Sequence, residues 1–491
     1  MNKNLKIYER VLSLYNSKKF KEVEDFYELL VNEHSKDSKL LNILASSLVQ
    51  NKEYMKAIEV FNKLLVIDPN QQHINLNLGN LHRLIGNQDQ AAEHLLKEVS
   101  LNENNYAPHY NLALLYEAKK ETLNAINHYE ESLKKLTDEH KNLTEEIGNK
   151  YIRYLISVGK NADALVATKE LILKLPDSEI LLGLLGNLYT WAGNYTLAID
   201  QYYKALKINK NNKTIKYDLS ICLRHLGKLN EAIDLLKDLN YLNSRALYIE
   251  NLFLDGQKEE FINQLKDASK SYPGNRILAN LSKYSSILYG FDDNYPFCRE
   301  PLQFIYKKNI LEIRFVESLI EEIFSLNLGY SKQNLIINGK QSSGNLFKLK
   351  SKKIEKLEQI INKEILNYRD KFSEKNQYLT KNWPENSFLN SWYIDLIRGG
   401  SLSYHYHHNG WISGSIYLKM PETEDLYEGS IEFSYENDNY GKQIKSKTEV
   451  LKPEVGDIIL FPSSLSHRVN AFDSDLNENR ISIAFDLVPI N

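Results

Sequence analysis

One spacing restricts the fold of this chain more than any other feature. A turn-forming residue followed five positions later by alanine recurs as Gly86 with Ala91, Gly159 with Ala164, Gly193 with Ala198 and Gly227 with Ala232. Lys52 with Ala57 and Lys120 with Ala125 hold the same phase. Anchor positions 18, 52, 86 and 120 lie 34 residues apart, as do 159, 193 and 227. The step from 120 to 159 is 39 and contains the charged run Lys135–Lys150; the last step, to 256, is 29. A period of this length describes stacked helical hairpins, each burying its apolar face against its neighbours. Glycine permits the tight interhelical turn and alanine lets the helices approach. Pro69, Pro176 and Pro273, seventeen residues after an anchor, end the second helix of a unit.

The unit resembles the tetratricopeptide repeat. Leu78-Gly79 and Leu185-Gly186 match its Leu-Gly pair, Tyr189 the aromatic three residues later, and Phe61, Tyr129 and Tyr202 the aromatic of the second helix. The resemblance covers about residues 5–275 and implies an all-α superhelix over 5–290, with about eight repeats, the first and last degenerate. It also implies a concave face that binds a protein or peptide partner and does no chemistry of its own.

Composition excludes several classes. The 61 basic and 64 acidic side chains leave a formal charge of −3, which argues against a nucleic-acid coat. Cys222 and Cys298 are too few to staple a secreted fold of 491 residues. The opening MNKNLKIYER lacks the apolar segment of a secretory signal, and no run approaches the roughly 20 apolar residues of a membrane-spanning helix. The expectation is a soluble cytoplasmic protein without nucleic-acid or membrane partners. A prior of about 150 residues per domain suggests about three domains, and the repeats reduce that to two.

The pattern changes near residue 290. Tyr289–Pro296, rich in Gly, Asp and Asn, reads as a linker, placed at 291–299, before a second domain at 300–491. There Phe315–Phe324 and Ile354–Phe372 read as helices. Phe388–Ile397, Ser413–Leu418, Ser430–Ser434, Asp457–Phe461 and Arg480–Val488 read as short strands, punctuated by Gly399-Gly400, Gly429 and Gly456. Short strands at close spacing with preceding helices predict a sandwich or barrel flanked by helices. The whole is then an α+β multidomain chain.

Four of the 12 histidines fall in the final 90 residues: His405, His407, His408 and His467. On a strand His405 and His407 share a face while His408 points away. Two ligands at i and i+2, completed by His467 from a later strand, make a facial metal site. Arg480 and Ser482, another i, i+2 pair, suit a carboxylate. Taken alone, the histidine run also fits a polar surface stretch and Arg480 a surface ion pair. Trp392 and Trp411 read as core or pocket wall.

In order, His405 and His407, Ile412–Leu418 (ISGSIYL), Gly429–Phe433, Gly456–Pro462, His467, and Arg480 with Ser482 resemble a 2-oxoglutarate/Fe(II)-dependent dioxygenase, closest to a small bacterial and phage branch. The resemblance covers about 385–490 and implies a double-stranded β-helix, or jelly roll. It implies His405 and His467 as iron ligands, Arg480 with Ser482 gripping 2-oxoglutarate, and Tyr417 contacting the same carboxylate. It also implies O2-dependent decarboxylation of 2-oxoglutarate coupled to C–H hydroxylation. His407 stands where the wider superfamily has Asp or Glu, so three neutral imidazoles leave the metal one negative charge short. Three readings follow: iron held by three histidines as they are, a nearby carboxylate substituting, or zinc as the metal. The alternatives in function are an interaction scaffold with a silent jelly roll, and a three-histidine metalloenzyme that ignores 2-oxoglutarate; Arg480 and Ser482 speak against the latter.

Overall fold

The computed structural model describes residues 3–490 except 242, 327, 332–333 and 475–477. It divides into two compact units, Met1–Ile147 and Gly148–Asn491. In the first, helices Ser38–Gln50 and Tyr54–Ile67, Ile74–Leu84 and Gln88–Leu101, and Tyr106–Ala118 and Thr122–Lys134 form antiparallel hairpins at the predicted period. The second continues with Glu179–Trp191 and Tyr195–Ile208, Lys213–His225 and Leu229–Leu236, and Ser244–Leu254 and Lys258–Ser271, followed by Arg276–Tyr289. The 39-residue step is taken up by a single turn, Asp138–His140, and a 17-residue helix, Lys141–Ser157.

The anchor of each repeat is its left-handed residue. Gly86, Gly159, Gly193, Gly227 and Gly256 have φ between +73° and +82°. Lys18, Lys52 and Lys120 occupy the same conformation at φ +58°, +64° and +55°. A side chain is strained there and glycine is not. Ala57, Ala91, Ala125, Ala164, Ala198 and Ala232, five residues on, are all fully buried. At Gly186 an added Cβ would collide with the Tyr202 ring, which accounts for the glycine of the Leu-Gly pair. Lys52→Gly should therefore stabilise the chain by about 0.5–1 kcal/mol, the relief of strain exceeding the entropy gained by the unfolded state. Denaturant unfolding measures this; a destabilised variant would show that the lysine side chain outweighs the strain.

The second unit carries ten strands: β1 Tyr306–Asn309, β2 Tyr330–Ser331, β3 Ile336–Ser342, β4 Ser387–His405, β5 Ile412–Lys419, β6 Ile431–Ser434, β7 Thr448–Leu451, β8 Asp457–Pro462, β9 Ser466–Val469 and β10 Arg480–Pro489. They pair antiparallel in the order β1-β8-β5-β10-β4-β9-β6-β7, with β3 also pairing β4 and β2 pairing β3, in a curled jelly-roll sheet. Helices Ile313–Ser325 and Lys352–Phe372 flank it, the latter burying Ile354, Leu357, Ile361, Ile365, Tyr368 and Phe372 at helical spacing.

Strand β4 departs from expectation. The sequence reading ends it at Ile397, before two glycines, whereas the structure continues it through them to His405. Gly399 takes φ +72° and donates its N–H to Phe472 O at 2.8 Å, so the pair bends the strand without ending it. β3 pairs with β4 on both sides of the bend, at Leu396 and at Ser401. The bend lets one strand pair with β10 along its first half and with β9 at its end.

One hydrophobic core runs from Ile233 in the repeats to Leu487 in β10. The stretch 291–299 contributes Tyr295, Phe297 and Cys298 to it, with Phe297 edge-on to Trp411 at 5.1 Å. Asn280, on the last repeat helix, donates to Ser464 O (3.0 Å) and Ser466 Oγ (2.9 Å) and accepts from Asn437 Nδ2 (3.0 Å). Among the described residues no helix is long and apolar enough to cross a membrane.

Candidate metal centre

His405 ends β4 and is paired in register with His467 of β9. His407 lies two residues past His405, its backbone N–H held by Ser463 O at 2.9 Å. The three imidazoles each offer a ligand atom within 4.8 Å of the other two. Ring centroids are 4.3 Å apart for His405–His467, 5.3 Å for His405–His407 and 5.1 Å for His407–His467. His408 is exposed and stands outside this group; the strand expected to carry all three residues ends at His405, so His407 and His408 lie in the segment that follows it.

The outward nitrogens are all occupied. His405 Nδ1 faces Ser403 O at 2.8 Å, His467 Nδ1 faces Leu465 O at 3.3 Å, and His407 Nδ1 faces Asp486 Oδ1 at 2.6 Å. These partners only accept, so each Nδ1 carries the proton and Nε2 keeps the lone pair for a metal. Burial, reinforced by the neighbouring imidazoles, lowers His405 to about 4 and His467 well below the ordinary histidine range. At pH 7 these two ligands need lose no proton before binding.

The same cavity, about 170 Å³, reaches Arg480, Ser482 and Tyr417. Arg480 is fully buried, donates Nε–H to Gly429 O at 2.9 Å and lies over the Tyr417 ring at 5.0 Å. Among the described residues no carboxylate pairs with it, and burial pulls its pKa down. Burial likewise pushes the Tyr417 phenol up to about 12, the Arg480 charge partly opposing. Among the described residues Tyr417 Oη makes no hydrogen bond of good geometry, and Ser482 stands in register opposite Tyr417. A buried cation with no such counter-ion, beside such a hydroxyl, is a place where an anionic ligand removes two desolvation costs together. Nitrogen donors at one end and an anion hole at the other fit Fe(II) and a dicarboxylic keto-acid.

Residues 390–486 match the family described as "Putative 2OG-Fe(II) oxygenase", and residues 192–248 match the tetratricopeptide repeat. The chain carries tetratricopeptide repeats and a C-terminal 2OG-Fe(II) oxygenase domain. A TPR repeat-containing protein of Methanocaldococcus jannaschii is 24% identical over a 266-residue alignment that covers 46% of this chain and 46% of that protein. The chain thus spans about half the length of the curated relative it matches. Among solved structures, the C-terminal part of a TPR repeat-containing protein from Cytophaga hutchinsonii is 11% identical (TM-score 0.43; 50% of this chain, 99% of that one). A Pseudomonas putida prolyl-4-hydroxylase is also 11% identical (TM-score 0.28; 38% and 93%).

In the oxygenase domain, the six residues singled out in the sequence (His405, His407, His467, Arg480, Ser482 and Tyr417) all line one cavity. Trp392 lines it too, 5.5 Å from His407, while Trp411 is core, its Nε1 bonded to Leu379 O at 3.0 Å. Sequence reasoning missed Asp486 and its partner Ser413, which are paired in register across β10 and β5. A signal existed: Arg480, Ser482, Ala484 and Asp486 alternate along β10, and extending the i, i+2 reading by two steps reaches the carboxylate.

Proposed function

We propose that this chain is an Fe(II)- and 2-oxoglutarate-dependent dioxygenase that hydroxylates a C–H bond, with a repeat region that captures a protein or peptide substrate. The observation that carries the proposal is one cavity joining three inward-facing imidazoles to a buried arginine that no carboxylate among the described residues pairs. In it His405, His407 and His467 hold the metal through Nε2. Arg480 grips the far carboxylate of 2-oxoglutarate, with Ser482 and the Tyr417 hydroxyl donating to the same group. Bound together, metal and co-substrate supply O2-dependent oxidative decarboxylation to succinate and CO2, and with it the oxidising power for hydroxylation. The chain's own work is to orient the keto-acid and to exclude water, for which Trp392, Ile394, Leu402 and Val469 provide apolar walls. A cytoplasmic setting, where Fe(II) stays reduced, suits this chemistry.

The test is to add 2-oxoglutarate to the anaerobic Fe(II) protein. A weak metal-to-ligand charge-transfer band near about 500 nm is expected for a keto-acid chelating an open iron site. His467→Ala should lose it with the metal, and Arg480→Ala should lose it while retaining Fe(II). Wild-type protein that holds Fe(II) but binds no 2-oxoglutarate overturns the proposal in favour of a three-histidine metalloenzyme.

A further inference from the structure

The nitrogen that backs each ligand differs in one respect. His405 and His467 turn Nδ1 to backbone carbonyls, whereas His407 turns Nδ1 to a carboxylate, Asp486 Oδ1, at 2.6 Å. His407 is also the ligand that occupies the place of an acidic residue in the wider pattern. We propose that Asp486 is the positioning residue of this metal centre: from behind His407 it aims Nε2 at the metal and supplies the negative charge that the ligand set lacks. This rests on the reading that the three histidines hold a metal.

Three features build the arrangement. Asp486 is 6% exposed, and among the described residues no lysine or arginine ion-pairs with it, so the group that meets its charge is His407. Ser413 Oγ donates to the same carboxylate oxygen at 2.6 Å, lies 3.1 Å from His407 Nδ1, and is steadied by Ser463 Oγ at 2.7 Å. Gly410 closes over the group: a Cβ there would sit 2.5 Å from Ser463 Oγ and 3.1 Å from Asp486 Cγ. The aspartate is thus held at the ring edge facing away from the metal, where it cannot be a direct ligand without abandoning its hydrogen bonds.

The consequence is electrostatic as well as geometric. A divalent ion with three neutral imidazoles and one buried carboxylate carries the same total charge as one held by two histidines and an aspartate. The charge has moved one imidazole outward. A carboxylate hydrogen-bonded to a ligating histidine fixes its tautomer and raises its basicity, and losing such a partner typically weakens metal binding about 10–100-fold.

The experiment titrates full-length protein with Co(II), reading affinity and the ligand-field band, for wild type, Asp486→Asn, His407→Ala and the double variant. Asp486→Asn should weaken Co(II) binding about 10–100-fold and shift the band. In the His407→Ala background the same change should alter affinity by less than about twofold, because the residue acts only through that ring. Ser413→Ala, which keeps the charge, should show the same dependence on His407 with a smaller loss, and serves if Asp486→Asn does not fold. Equal losses in both backgrounds, or no loss with His407 intact, overturn the proposal. Wild type that binds no Co(II) overturns the metal reading itself. None of these measurements uses 2-oxoglutarate, so failure of keto-acid binding is a separate result.

Discussion

Replacing Arg480 by methionine should weaken 2-oxoglutarate binding severely and, in the same protein, raise stability. The two effects share one cause. Arg480 is fully buried, donates Nε–H to Gly429 O, and burial already lowers its pKa. In the free protein its charge has been removed from water with no counter-ion among the described residues, and apolar replacement of buried charge is often stabilising by about 1–4 kcal/mol. In the complex the guanidinium meets the far carboxylate, and truncating one partner of a buried, hydrogen-bonded charge pair costs about 2–5 kcal/mol. Affinity for 2-oxoglutarate should therefore fall by at least about 30-fold, measured by calorimetry on anaerobic Fe(II) protein, while the denaturant midpoint of the metal-free chain rises. Arg480→Lys keeps the charge but loses the planar fork, so it should fall between the two. Unchanged 2-oxoglutarate affinity in Arg480→Met would remove the anion-hole assignment.

The second large effect concerns where the oxygenase domain ends. A chain starting at Glu300 keeps every strand and all six proposed site residues, yet it should be insoluble or molten. The core that includes Tyr393 and Phe461 also includes Leu247, Phe253, Leu278 and Tyr284 from the repeats, so the cut exposes a large apolar face. Polar groups are stranded as well. Glu250 pairs with Arg224 and accepts from Tyr440 Oη at 3.1 Å and Tyr406 Oη at 3.4 Å, and Tyr406 lies between His405 and His407. Asn280 holds Ser466, the neighbour of His467. In the full chain Asn280→Ala alone should cost about 2–4 kcal/mol by leaving buried partners unsatisfied. It should also weaken metal binding, because it loosens the backbone that carries one ligand. Native-like solubility, sharp near-UV circular dichroism and unchanged Co(II) affinity in the chain starting at Glu300 would refute this account.

Much of both halves was legible because it is periodic and local. The 34-residue spacing is imposed by the left-handed turn residue and the fully buried alanine five positions on, and both are visible in a single repeat. The side-chain alternation of a strand places His405 with His407, and Arg480 with Ser482, before any tertiary contact is known. The two glycines of β4 are ambiguous in the sequence for a related reason. Glycine signals a left-handed φ, but whether the chain turns away there or bends and stays paired depends on β3 lying alongside.

What the sequence by itself determined was the repeat, the shared faces of the histidines and of the arginine–serine pair, and the charge balance, since each follows from chain geometry within a few residues. Only the tertiary structure decided that Asp486 stands behind His407, that Arg480 is buried with no counter-ion among the described residues, and that Glu250 and Asn280 of the repeats anchor the strand ends carrying the ligands. Those pairings join residues 79, 156 and 186 positions apart. No backbone period links such positions, so their partners are selected by packing alone.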